Sequence, residues 1–249
     1  MLSSDVFLCS PFRSRGGDDD ELGAALNSWV DLRPGKIFLA VDGSPPLLPI
    51  GVTASYFFLN GTPDSREIGG PRSTGETQEN IAFLRNKCFR EWDRSRHSWC
   101  FMVDSDVVLA PNALNVALFT LTSLMERHDA PCTLSLQIDN RVTEDHAPAT
   151  NAMDDRGRPI PWADDGRLTE VARSGAVTLY PRRALGFRFG WAPGYNEEHQ
   201  SMLDQMRSAG WRHYLLQDPR LTDHRMRRLR SGFEILRENR EARERKGNR

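Results

Sequence analysis

Apolar and β-branched residues gather in short runs at 6–9, 36–41, 52–59, 99–103, 133–138, 176–180 and 213–216, each bounded by turn formers. Runs of this length and composition predict strands. Helical periodicity occupies 19–30, 76–94, 111–127 and 197–209, with an acidic cluster opening the first and Asn196 placed to cap the last. Strands alternating with helices predict an α/β fold, a mostly parallel sheet with helices on both faces. The connection 139–173 breaks the pattern: it is polar, contains proline and holds no sustained period. Connectors beyond about 12–15 residues are usually functional or disordered, so a substrate-side lid is the expectation here.

The 249 residues are 39% hydrophobic and 27% charged, the balance of a globular domain large enough to build a core without disulfide or metal staples. No apolar stretch approaches the roughly 20 residues that span a bilayer, which excludes a membrane-spanning synthase. The opening MLSSDVFLCSPFRSR lacks the basic-then-apolar order of a secretory signal, so a cytoplasmic location is expected. Cys9, Cys88, Cys100 and Cys132 show no CxxC spacing and are expected to be buried free thiols. The net charge of -1 conceals an asymmetry: residues 225–249 carry ten Arg or Lys against four Glu, and the rest of the chain is acidic. That tail reads as a solvated or loosely docked helix, with a membrane surface, nucleic acid or an acidic partner as alternatives.

Candidate chemistry concentrates where the apolar run 99–103 meets Asp104-Ser105-Asp106. In extended backbone, residues i and i+2 share a side, so Asp104 and Asp106 are expected to converge while Ser105 faces away. Such a pair suits Mg²⁺ or Mn²⁺, which take one or two carboxylates together with substrate phosphates and water. Its place at a strand's carboxyl end is where open α/β sheets bind ligands. The same acids also suit a plain strand terminus and a cap for the helix at 111–127. Around this centre stand, in order, Asp42-Gly43-Ser44, Arg85-Asn86, a glycine-led strand at 175–182, Gly190-Trp191, Asn196-Glu197-Glu198-His199 and Leu221-Thr222-Asp223-His224.

This ordered series resembles the glycosyltransferases of the GT-A fold, family 2 most of all, and the carboxyl half is also similar to fungal mannan mannosyltransferases. The similarity spans most of residues 5–225. It implies one GT-A-like, Rossmann-like domain over 1–225, with a nucleotide-sugar half at 1–115, an acceptor half at 116–225, and a basic, helical tail at 226–249. By the same resemblance, Asp104-Ser105-Asp106 is a DxD motif whose carboxylates hold Mn²⁺ or Mg²⁺ on the diphosphate, and His224 is a further metal ligand. Pro11 and Arg13 fall where the family places its first nucleotide-binding loop, Asp42 near base and ribose, and Arg85 and Asn86 on the helix before the motif. Glu197 and Glu198 match the acid pair whose second member takes the acceptor's proton in inverting enzymes, with Glu198 standing where Asp is usual. Trp191 is a candidate for stacking on sugar, and Trp162 a candidate acceptor contact; His97, His128, His146 and His213 are given no role.

The resemblance thus implies transfer of a single sugar from a UDP- or GDP-sugar to an acceptor hydroxyl, with inversion. The absence of a QxxRW motif speaks against a processive polymerase. Three alternatives remain: a sugar-phosphate nucleotidyltransferase, a two-metal nuclease using Asp104, Asp106 and Glu198, and a non-catalytic GT-A domain that binds nucleotide-sugar. An acidic body disfavours the nuclease, and the modest glycine content of residues 10–17 disfavours the nucleotidyltransferase.

Overall fold

A computed structural model describes residues 3–13, 19–43, 46–59, 75–139, 150, 152–190 and 199–224. Along the chain run β1 (Val6–Arg13), α1 (Asp19–Asp31), β2 (Lys36–Asp42), β3 (Val52–Phe57), α2 (Gly75–Arg94), β4 (Trp99–Val103), β5 (Val107–Leu109), α3 (Ala113–His128), β6 (Cys132–Leu136), β7 (Arg167–Glu170), β8 (Val177–Pro181), α4 (His199–Ser208), β9 (Arg212–Gln217) and β10 (Thr222–His224). The main sheet has the order β3-β2-β1-β4-β8-β6-β9-β7. β8 runs antiparallel to both neighbours and β7 antiparallel to β9, while the remaining pairs are parallel. A second ribbon pairs β5 with β10.

The alternation of side chains along a strand builds two cores. Val6, Leu8, Ile37, Leu39, Val41, Phe101 and Val103 face one side, where Leu22, Leu26 and Trp29 of α1 and Leu114, Leu118 and Leu121 of α3 cover them. Phe7, Cys9, Phe38, Ala40, Cys100 and Met102 face the other, under Leu84, Phe89 and Trp92 of α2 and Met202, Leu203 and Met206 of α4. Burying a large apolar side chain contributes about 1.5–3 kcal/mol, so both faces must be covered for these strands to be stable. All four cysteines are buried and free, as expected. Among the described residues no helix is long and apolar enough to cross a membrane.

Several boundaries move. β1 continues four residues past the predicted 6–9, because β2 offers parallel partners as far as Arg13↔Asp42. Pro11 is therefore buried inside a strand and not in the loop after it. Proline is tolerated there because β4 pairs with β1 only as far as Cys9↔Met102. α3 begins at Ala113, with Asn112 in the N-cap position, and β5 separates it from Asp106, which removes the helix-cap role weighed for those acids.

The connector also gains structure. Met153 bridges both Pro159 and Arg173, and β7 adds to β9 as an antiparallel edge strand. Ala152, Ile160, Val171 and Leu215 form a small core beneath. Residues 152–173 are thus docked on the sheet, while 140–149 lie outside the described residues, as do Asn196, the predicted first turn of α4 and the basic tail.

Candidate active site

β1, β2, β4, β6 and β9 all point their carboxyl ends to one edge of the sheet, and β4 delivers Asp104 there. The backbone does not stay extended. The Val107 N–H donates to the Asp104 carbonyl at 3.1 Å, closing a turn over Asp104, Ser105 and Asp106. The expected same-side convergence of the two carboxylates is therefore corrected: each is held by a different partner.

Asp104 is fixed twice. Its N–H donates to the Ala176 carbonyl at 2.7 Å, and Ala176 holds the left-handed φ of 66° that aims this carbonyl, a conformation costing roughly 1–2 kcal/mol in an L-residue. Its Oδ1 accepts from the Arg85 guanidinium at 2.8 Å. The Arg85 side chain is 7% exposed against 30% for Asp104, so a buried cation meets a carboxylate that still reaches solvent. The Arg85 guanidinium also lies 5.8 Å from the Phe189 ring centroid. Asn86 commits both ends of its carboxamide to Phe189, donating to its carbonyl at 2.8 Å and accepting its N–H at 3.0 Å. This makes Asn86 an anchor for the backbone at Phe189.

Asp106 is positioned from the far end of the chain. Antiparallel pairing sets His224 opposite Val107, which brings His224 Nε2 to 3.4 Å from Asp106 Oδ2. α1 holds the same ribbon from behind, since Trp29 Nε1 donates to the Val107 carbonyl at 3.0 Å and Ser28 Oγ accepts the Leu109 N–H at 3.0 Å. His224 Nδ1 sits 2.9 Å from the Asp139 carbonyl, which can only accept, so Nδ1 carries a proton and Nε2 is the nitrogen turned to Asp106. Burial pulls the His224 pKa down, but the Asp106 carboxylate, the Asp139 carbonyl and the charge of Asp104 together carry it above the ordinary value.

Asp42 closes β2, is buried, and accepts the Leu59 N–H at 2.9 Å. Gly43 follows at φ 101° and donates its N–H to the Phe57 carbonyl, a left-handed turn that glycine adopts without strain. Arg13 ends β1 opposite Asp42 in register. Ser105 is half-buried in the turn, and Trp162 is half-buried in the docked connector. Ser44, His146, Trp191, Glu197 and Glu198 lie outside the described residues. Among the described residues, Arg85, Asp104, Asp106 and His224 are brought together by contact, with Asp42 and Arg13 farther along the same edge.

Among the described residues no group of three or more His, Cys, Asp or Glu side chains is gathered to hold a metal ion. Asp106 and His224 supply one carboxylate and one imidazole, a donor set that fits Mn²⁺ completing its shell from diphosphate oxygens and water. Asp104 joins such a set only by sharing its carboxylate with Arg85. The residues present thus fit a metal whose remaining ligands come with the substrate, and do not form a closed protein cage.

Sequence reasoning missed two supports of this site. Phe189 has no motif around it. Gly175 is marked only by its place before a strand, yet a Cβ there would lie 2.3 Å from the buried His199 ring. His213, given no role from sequence, is a satisfied core histidine: its Nδ1 meets Thr133 Oγ1 at 2.5 Å and its Nε2 meets Ser135 Oγ at 3.4 Å, and Ser135 in turn meets Thr178 Oγ1 at 2.7 Å.

No protein-family model matches the chain and no curated protein matches it. Among solved structures it is similar to S. aureus TarS, with a TM-score of 0.53 at 12% identity, covering 91% of this chain and 37% of that one. It is likewise similar to TarS 1-349 in complex with UDP-GlcNAc, with a TM-score of 0.50 at 13% identity, covering 90% of this chain and 58% of that one. The chain spans less than two thirds of either. At such identities the likeness shows the fold, the α/β, GT-A-like arrangement with a mostly parallel sheet between helices.

Proposed function

We propose that this chain is a metal-dependent glycosyltransferase of the family 2 type, moving one sugar from a nucleoside diphosphate donor to an acceptor hydroxyl with inversion. The observation that carries this reading is the Asp104-Ser105-Asp106 turn at the carboxyl edge of a GT-A-like sheet, with Arg85 on its first carboxylate and His224 on its second. The TarS structure solved with UDP-GlcNAc supports a nucleotide-sugar as the donor class.

In this reading Asp106 and His224, with Asp104, hold Mn²⁺ or Mg²⁺. When bound, the ion supplies positive charge against the diphosphate that departs. The chain's own residues do the rest. Arg85 keeps a second, buried positive charge beside Asp104. Arg13 and Asp42 take the nucleoside end of the donor, one and two strands away from the strand that leads to Asp104. Glu198, with Glu197 beside it, removes the acceptor's proton as the acceptor oxygen bonds to the anomeric carbon and the bond to the diphosphate oxygen breaks. Trp191 contacts the sugar.

The test is release of nucleoside diphosphate from a panel of UDP- and GDP-sugars with and without Mn²⁺, in the parent, Asp106→Ala and Glu198→Gln. Metal-dependent release is expected in the parent and is lost in Asp106→Ala, while Glu198→Gln keeps donor binding and loses transfer. Full activity in Asp106→Ala overturns the site. Pyrophosphate released from a nucleoside triphosphate and a sugar phosphate would instead make the chain a nucleotidyltransferase.

A further inference from the structure

Two glutamines, Gln137 just after β6 and Gln217 at the end of the neighbouring β9, are spent on one short piece of the connector. Gln137 Nε2 donates to the Ala163 carbonyl at 2.6 Å, and Gln217 Nε2 donates to the Pro161 carbonyl at 2.7 Å. The carbonyls before and after Trp162 are therefore both pinned from the sheet. Neither amide has slack: Gln217 Nε2 also reaches Gln137 Oε1 at 3.1 Å, and Gln217 Oε1 accepts from Thr169 at 2.7 Å. Both glutamines are essentially fully buried, where a polar group is kept only if it is satisfied. A mere covering loop would not need them, since apolar residues would serve.

The residue held this way is a half-buried tryptophan. Trp29 and Trp92, the fully buried tryptophans among the described residues, spend their Nε1 on the backbone carbonyls of Val107 and His97. The Trp162 indole makes no such bond and no ring contact among the described residues. The segment that follows it is charged in both senses: Asp165 pairs with Arg167, and the exposed Asp164 lies near both Arg167 and Arg220, the latter paired with Asp218. A half-buried indole in a segment that also carries carboxylates and guanidinium groups matches a sugar ring, whose C–H face is apolar and whose hydroxyls both donate and accept.

The platform also belongs to the candidate site. The Gln137 carbonyl accepts from Thr222 Oγ1 at 2.5 Å, two residues before His224. In the sheet order, β6 and β9 stand two and three strands from β4, about 10 and 14 Å away, on the side opposite β2 and Asp42. The nucleoside end of a donor falls on the other half of the sheet.

We infer that Trp162 is a preset stacking platform for a sugar ring of the acceptor, so that the acceptor is itself a saccharide. The inference rests on the proposed sugar transfer for the role of that saccharide, and on the Gln137 and Gln217 contacts for the platform. Pinning the backbone in advance removes ordering cost from binding, which is what a weak, shallow sugar contact needs.

The experiment uses the full chain labelled with 5-fluorotryptophan, which gives six resonances for six tryptophans, with Trp162→Phe assigning one. Maltotriose, cellotriose, chitotriose and mannotriose are titrated, and UDP-GlcNAc and GDP-mannose are titrated separately. At least one trisaccharide is expected to shift the Trp162 resonance, and Trp162→Ala should weaken that trisaccharide about tenfold with nucleotide-sugar affinity unchanged. Gln217→Met should broaden the Trp162 resonance and weaken the same trisaccharide. Nucleotide-sugar binding with no trisaccharide response at Trp162, or unchanged trisaccharide affinity in Trp162→Ala, overturns the inference. A trisaccharide response at Trp162 with no nucleotide-sugar binding leaves the platform standing and removes the donor reading instead.

Discussion

Gly175 is where a single methyl group most directly tests how this site is held. An ideal Cβ on Gly175 would lie 2.3 Å from Cε1, 2.6 Å from Nε2 and 2.8 Å from Nδ1 of His199. Three ring atoms of a buried side chain stand inside contact distance, so a small rotation of the imidazole does not clear the clash. Overpacking of this kind costs about 1–3 kcal/mol. For a chain of this size each kcal/mol lowers Tm by roughly 2–4 °C, so Gly175→Ala should melt about 2–12 °C below the parent. The displaced backbone leads straight into Ala176, whose carbonyl holds the Asp104 N–H at 2.7 Å, so the damage should reach the candidate site as well.

The control reverses the sign. In a His199→Ala background the obstructing ring is gone, and replacing glycine by alanine then restricts only the unfolded chain, which stabilises by about 0.4–1 kcal/mol. Urea unfolding of the parent, both single variants and the double variant closes the cycle, with an expected coupling above about 1 kcal/mol. If Gly175→Ala costs the same in both backgrounds, or nothing in the parent, the packing of Gly175 on His199 does not hold this turn.

His213 should give the protein an acid-sensitive core. Burial first, and the nearby His199 second, push its pKa down to about 3. The folded chain keeps His213 neutral while the unfolded chain protonates it near its ordinary value. Its share of stability is therefore complete above about pH 6.5 and is lost as pH falls toward 3, by at most about 1.4 kcal/mol per pH unit. Urea midpoints between pH 7 and pH 4 should fall less steeply in His213→Gln, and an unchanged slope would contradict the assignment. Asn86→Ala removes both hydrogen bonds to the Phe189 backbone; a loss of about 1–3 kcal/mol is expected, with faster hydrogen exchange at Phe189, and unaltered exchange there would mean that the amide does not anchor this segment.

What was legible from sequence is what repeats along an element. Alternation in β1, β2 and β4 announced a sheet buried on both faces, because Val6, Leu8 and Phe101 on one side and Phe7, Cys9 and Cys100 on the other are all apolar. The acids at the end of β4 were legible for the same reason, since an apolar strand that stops at two aspartates marks a sheet edge. β5 and β10 were not, because three residues carry no period and their pairing joins segments far apart in the chain. The backbone at Asp104 was misjudged as extended because the turn closing on Val107 is stabilised by contacts from α1, β8 and β10, none of which is local. Pro11 was misjudged because proline signals a loop unless a neighbouring strand stops early, and where β4 stops is a tertiary fact. Gln137, inside the predicted strand 133–138, and Gln217, just past the predicted 213–216, look like ordinary polar residues, and only their shared target around Trp162 distinguishes them.

The two aspartates answer to different parts of the chain. Asp104 is held by α2 through Arg85 and by the turn before β8 through the Ala176 carbonyl. Asp106 is held by α1, through the β5 ribbon, and by the carboxyl-terminal strand β10 through His224. Between them lies Ser105, and the Val107 N–H bond to the Asp104 carbonyl closes the turn that sets their spacing. In the proposed reaction Asp104 and Asp106 would both hold the cation, and the Arg85 contact gives Asp104 a positive partner beforehand. The arrangement fits a site that closes on a charged substrate, since a site prebuilt around a bare ion would leave Asp104 no reason to lean on a buried arginine. Loss of Arg85 should therefore weaken the anionic donor while sparing the metal, in contrast to loss of His224, which should weaken the metal first. Calorimetric titration of Mn²⁺ and of UDP-GlcNAc into Arg85→Ala and His224→Ala separates the two, and Mn²⁺ affinity unchanged in His224→Ala would refute the second.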